Sequence, residues 1–137
     1  LGTRPDREPW RVGIQDPRSN GDIVAILSLK DSAAVTSGDY QRYFEQEGVR
    51  YHHIIDPSTG KQARDLIQTT VVAESATDAD ILSTALFVLG PRRGMSFVED
   101  LPGTGAVLIG PDKLVSVTAG LIDQLTFTGN GGYQIVG

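Results

Sequence analysis

The 137 residues suit one domain or part of one, and a complete chain of this length can bury roughly two-thirds of its unfolded surface. Twelve Lys and Arg against seventeen Asp and Glu give a net charge of −5; the densest basic cluster is Arg92-Arg93, which argues against a nucleic-acid-binding surface. The chain has no cysteine, which excludes disulfides, thiolate metal sites and a cysteine nucleophile, and its longest apolar run, Ala85 to Leu89, is far short of a bilayer span.

Residues 1–9 are polar, contain two prolines and read as a connector or hairpin tip. Residues 10–15 alternate apolar and polar and predict a strand with Trp10, Val12 and Ile14 inward. The segment 16–22 is dense in turn formers, with Asn20-Gly21 suited to a hairpin. Strands follow over 23–29 and 33–37, and the three are expected to be consecutive antiparallel neighbours. The pattern breaks at 37–40, and 40–47 reads as a short helical turn. Residues 49–55 are β-branched and aromatic and predict a strand. On it Tyr51, His53 and Ile55 would share one face, and His52, Ile54 and Asp56 the other. The run Asp56-Pro57-Ser58-Thr59-Gly60 is a turn, and 67–74 predicts another strand.

The strongest helix signal covers 78–89. Thr77 is the expected N-cap, with Asp80 at the third helical position as a T-x-x-D capping box. Gly90 and Pro91 end that helix, and a second is expected over 92–100. Strands near 105–109 and 113–118 follow, then a Gly-rich, aromatic closing strand or ordered tail. The order β-β-β-β-β-α-α-β-β predicts an α+β fold, a mainly antiparallel sheet with two consecutive helices packed on it.

Chemistry-bearing residues fall in a few places. Asp80 and Thr84 lie one helical turn apart, so a carboxylate and a hydroxyl face the same way. That suits a hard cation such as Mg²⁺, while capping and packing are the plain structural alternative. Asp78, in the first turn, competes with Asp80. A free helix N-terminus also favours phosphate oxygens. His53 is either a satisfied strand histidine or a proton acceptor or phosphate contact; His52 is expected to be structural or exposed. Residues 56–60 and Thr36-Ser37-Gly38 are each a plain turn or strand end, or a ligand contact. Lys61 and Arg64 are candidate phosphate contacts beside a simpler role as loop charges. Gly131-Gly132 is a weak phosphate-loop signal, and no Walker A or GxGxxG pattern occurs.

TSGDY at 36–40, HHIIDPSTG at 52–60 and TDADILSTALFVLG at 77–90 resemble, in order and separation, the ApbE family of FAD:protein FMN transferases. WRVGIQDPR at 10–18 is similar to the family's preceding strand, and the resemblance covers about residues 10–110. It implies Mg²⁺-dependent cleavage of FAD, with transfer of FMN to a Ser or Thr hydroxyl of an acceptor protein and release of AMP. FAD hydrolysis to FMN and AMP, or a non-catalytic fragment that binds flavin or packs against another chain, are the alternatives. Matching residue by residue, it places metal ligands at Asp80 and Thr84 and a catalytic base at His53. Flavin-nucleotide contacts would come from Thr36, Ser37, Gly38, His53, Ile55, Asp56, Pro57, Thr59 and Gly60. The resemblance further implies that residues 1–137 are the C-terminal portion of an ApbE-like domain. An N-terminal portion would supply much of the flavin pocket and a backbone carbonyl to the metal. Little transferase activity is therefore expected of these residues alone. The implied acceptor is a flavoprotein subunit of a membrane redox complex. The implied location is bacterial, periplasmic or anchored at the inner membrane.

Overall fold

The computed structural model describes residues 2–136. In chain order the strands are β1 (Trp10–Gln15), β2 (Ile23–Leu29), β3 (Ala33–Gly38), β4 (Tyr43–Gln46), β5 (Val49–His52), β6 (Ile55–Asp56), β7 (Lys61–Gln62) and β8 (Gln68–Ala73). Helix α1 (Ala76–Glu99) follows, then β9 (Gly105–Ile109), β10 (Leu114–Val117), β11 (Leu125–Phe127) and β12 (Gln134–Val136). Short 3₁₀ turns at Ala119–Gln124 and Asn130–Gly132 space the last strands. No helix is long and apolar enough to cross a membrane among the described residues.

Three layers result. A five-stranded sheet, β12-β10-β9-β8-β3, is the middle one, antiparallel except where β12 joins β10 in parallel. Helix α1 covers one face, where Leu86, Phe87 and Val98 pack with Val71, Ala106 and Leu108. The three-stranded sheet β1-β2-β11 covers the other, where Ile14, Leu27 and Leu29 pack with Val72, Val107 and Ile109. Being covered twice, β8 and β9 are buried at every position. Their continuous runs of Thr, Val, Ala and Leu reflect that environment rather than an alternating one. The α+β expectation of a mainly antiparallel sheet carrying two consecutive helices holds.

Four local expectations are corrected. Strand β3 does not continue the β1-β2 hairpin; it crosses to the other sheet and pairs with β8 from Ala33↔Ala73 to Gly38↔Gln68. Segment 40–47 is not helical. It enters a β4-β5 hairpin closed by Glu47 (φ 53°) and Gly48 (φ 77°), the paired left-handed conformation that matches strand twist. Phe44 and Tyr51 stack across that hairpin, centroids 5.1 Å apart. The strand foreseen over 49–55 breaks after His52, because the Ile54 N–H turns back to His52 Nδ1 at 3.2 Å. Finally, the helix starts earlier: Ser75 is the N-cap, its Oγ accepting from the Asp78 N–H. The capping frame is thus S-x-x-D at 75–78, not T-x-x-D at 77–80.

The two foreseen helices are the two segments of α1, divided at Gly90, whose backbone (φ 84°, ψ 177°) only glycine adopts readily. A Cβ there would also lie 3.4 Å from Asp65. Pro91, with no N–H to leave unpaired, restarts the helix at its first position. Gly90→Ala is expected to lower the unfolding free energy by about 1–3 kcal/mol. Urea titration would read this, and an unchanged midpoint would mean the break tolerates a side chain.

Candidate functional site

The first helical segment presents a buried and an open face. Ala79, Ser83, Leu86 and Phe87 face the sheet and are buried, while Asp80 and Thr84 are exposed one turn apart. Since Ser75 caps the helix, Asp80 has no capping duty. Its carboxylate makes no hydrogen bond or ion pair with any described residue. Asp78 is exposed in the first turn, where its charge opposes the positive end of the helix dipole.

Beneath those two residues the sheet holds the helix through hydroxyls. Thr69 Oγ1 on β8 donates to the Ser83 carbonyl at 2.6 Å. Ser83 Oγ donates to the Asp80 carbonyl at 2.9 Å. Ser37, at the end of β3, places its Oγ 2.7 Å from Ser83 Oγ and 3.4 Å from Thr84 Oγ1. Thr36 Oγ1 pairs with Thr70 Oγ1 at 2.8 Å. A Cβ on Gly38 would lie 2.3 Å from the Tyr40 ring, so packing accounts for this glycine. The Thr36-Ser37-Gly38 segment therefore ends β3 against the helix, with Ser37 and Gly38 buried.

The turn at 56–60 forms as expected. The Ser58 N–H and Oγ both donate to Asp56 Oδ1, at 2.9 and 2.7 Å, and the Gly60 N–H reaches the Asp56 carbonyl at 2.8 Å. The Ser58 hydroxyl, then its N–H, hold the Asp56 carboxyl below the usual range. The turn meets the helix: Ile55 and Pro57 line an apolar groove of about 670 Å³ with Ile81, Thr84, Ala85, Val88, Leu89 and Phe97. Ile55 also walls a second groove, of about 560 Å³, with Phe44, Tyr51, His52, Lys61, Gln62 and Arg64. The two motifs picked out in the sequence thus share one surface.

The histidines part company. His52 is buried, edge-on to Phe87 at 5.6 Å; burial lowers its pKa, partly opposed by a bond to the Ala63 backbone. His53 is exposed, and its Nδ1 lies 3.4 Å from the Arg42 carbonyl. A carbonyl only accepts, so Nδ1 carries the proton and Nε2 is left as the open acceptor. No hydrogen bond joins His53 to Asp80 or Thr84 among the described residues. No cluster of three or more His, Asp or Glu side chains able to hold a metal occurs among them either. Asp80 and Thr84 offer two hard oxygens, which fits a Mg²⁺ that takes its other ligands from phosphate and water.

Sequence reasoning, which picks out Ser83 beside Asp80 and Thr84 as polar residues of an otherwise apolar helix, missed Thr69 as its partner on the sheet. Thr69 sits in the polar triplet Gln68-Thr69-Thr70 and carries no local signal of its own.

Comparison with known proteins gives a consistent answer. A sequence model of the ApbE family matches residues 1–109. The FAD:protein FMN transferase of Treponema pallidum is 46% identical over 121 residues, covering 87% of this chain and 33% of the relative. That of Vibrio cholerae is 44% identical over 100 residues, covering 72% and 30%. The crystal structure of the ApbE protein of Thermotoga maritima superposes with a TM-score of 0.79 at 40% identity, covering 90% of this chain and 40% of that one. The chain therefore spans about a third of the length of the relatives it matches.

Because His52 is held neutral, its folded pKa lies below the ordinary 6.5, so the unfolded chain takes up that proton first on acidification. Its stabilising effect is full above about pH 6.5 and is lost as pH falls. The melting temperature should drop between pH 7 and 5, and His52→Phe should flatten that drop. An identical pH profile in the variant would remove His52 as its source.

Proposed function

The chain belongs to the ApbE family, and on that premise we propose that it carries the cation- and phosphate-facing part of a FAD:protein FMN transferase. The observation that supports this most is the pairing of a partnerless Asp80 carboxylate with the Thr84 hydroxyl, beside the groove that Ile55 and Pro57 close.

Asp80 and Thr84 would hold Mg²⁺, which supplies charge neutralisation to the pyrophosphate and to the leaving phosphate. Residues 55–60 bound the nucleotide: Pro57 fixes the backbone, and Ile55 with Ala85 and Val88 offers an apolar wall. A Ser or Thr hydroxyl oxygen of the acceptor protein attacks the phosphorus nearer the flavin. The P–O bond to the adenylate breaks, AMP leaves with the bridging oxygen, and FMN remains as a phosphoester. The hydroxyl proton passes to His53 Nε2, the nitrogen that the Arg42 carbonyl leaves free.

In the whole protein that carries this chain, Asp80→Ala should reduce Mg²⁺-dependent AMP release from FAD by about 10²-fold or more. Far-UV circular dichroism should not change, since Asp80 is exposed and unpaired. Chromatography of FAD, AMP and FMN, with mass analysis of the acceptor, reads both the rate and the fate of the flavin. Undiminished release would reject Asp80 as the ligand. Free FMN in place of flavinylated acceptor would make the activity a hydrolysis.

A further inference from the structure

We infer that Ser37 is a positioning residue that fixes the proton of Thr84 inward, leaving the lone pairs of its hydroxyl facing the cation site. This rests on the reading of Asp80 and Thr84 as ligands and adds to it the group that orients one of them.

The argument is one of proton counting, because each hydroxyl has one proton to donate. Ser83, wholly buried, donates its proton to the Asp80 carbonyl at 2.9 Å. In the 2.7 Å contact between Ser83 and Ser37, Ser37 must then be the donor. With its proton so committed, Ser37 can only accept from Thr84 Oγ1, at 3.4 Å the longest link in the chain. The direction runs Thr84 to Ser37 to Ser83 to the Asp80 carbonyl. A helical threonine commonly donates to the carbonyl one turn earlier; here that carbonyl already takes the Ser83 proton. A hydroxyl ligating a cation uses a lone pair, so a proton pointing outward would oppose binding. Ser37 removes that conflict before the cation arrives, as second-layer partners do for other metal ligands.

The test is Mn²⁺ uptake by the whole protein in the presence of FAD, followed by loss of the free-ion electron paramagnetic resonance signal, with melting curves to confirm folding. Ser37→Ala should weaken Mn²⁺ binding by about tenfold. Ser83→Ala should do likewise with Ser37 intact, since the Ser37 proton is then released toward Thr84. In a Thr84→Val background Ser37→Ala should cost nothing further, because its effect acts through the missing hydroxyl. A purely structural role for Ser37 would instead give additive losses. Additive losses, or unchanged affinity in either single variant, overturn the relay and leave Asp80 and Thr84 as ligands. No Mn²⁺ uptake by the unsubstituted protein, or uptake indifferent to Asp80→Ala, overturns the ligand reading and the relay together.

Discussion

Helix α1 is joined to the central sheet at its second turn by hydroxyls, and the site depends on that seam. Hydrocarbon packing along Leu86, Phe87 and Val98 sets how deeply the helix lies, but such contacts are non-directional. The bond from Thr69 to the Ser83 carbonyl and the Ser37–Ser83 contact are directional and buried. They fix the helix in rotation as well as in depth. Breaking one would strand polar groups away from water, a cost of about 1–3 kcal/mol. Asp80 and Thr84 thereby face outward from a rigid support, and the groove with Ile55 and Pro57 keeps its shape.

A second polar assembly anchors the same end of β3. Arg18 grips Asp39 with two bonds of 2.7 and 2.6 Å, and Asp16 accepts from the Tyr133 hydroxyl at 2.6 Å. Burial, and then the bond to Asp16, raise the Tyr133 pKa, so the hydroxyl keeps its proton at neutral pH. Asp39 follows directly on the Thr36-Ser37-Gly38 segment. Its pairing with Arg18 holds the strand end from which Ser37 reaches the helix. By contrast Gln68, on the adjacent strand and fully buried, has both amide atoms without a hydrogen-bond partner. The sheet tolerates that cost beside an otherwise well-paired core.

The parts legible in the sequence were those written in local pattern. Strands over 10–15, 23–29, 33–37, 67–74 and 105–109 announced themselves by β-branched content, and Gly90-Pro91 announced the helix break. Asp80 and Thr84 were legible because helical spacing alone puts them on one face. What was not legible depends on distant partners. Nothing near residue 33 says that β3 must pair with β8 instead of β2, so the meeting of Ser37 with Ser83 could not be foreseen. The capping frame was ambiguous because Ser75 and Thr77 both have an aspartate three residues on, and only the fold chooses. The β4-β5 hairpin was hidden by the polar run Glu45-Gln46-Glu47, although Gly48 was a fair turn signal. The two faces read for 51–55 survive the strand break after His52: Tyr51, His53 and Ile55 are exposed, while His52 and Ile54 are buried.

The pairing of β2 with β11 has a consequence for how the molecule is made. Leu27 meets Leu125 and Ala25 meets Phe127, and Thr128 bonds back to the Ile23 and Val24 carbonyls. About a hundred residues separate these partners. At ribosomal speeds the interval between their syntheses is on the order of 5–20 s. Over that time the β1-β2 hairpin emerges with an open edge and an oily underside, before the strands that will cover it exist. High contact order of this kind slows folding and lengthens exposure to aggregation.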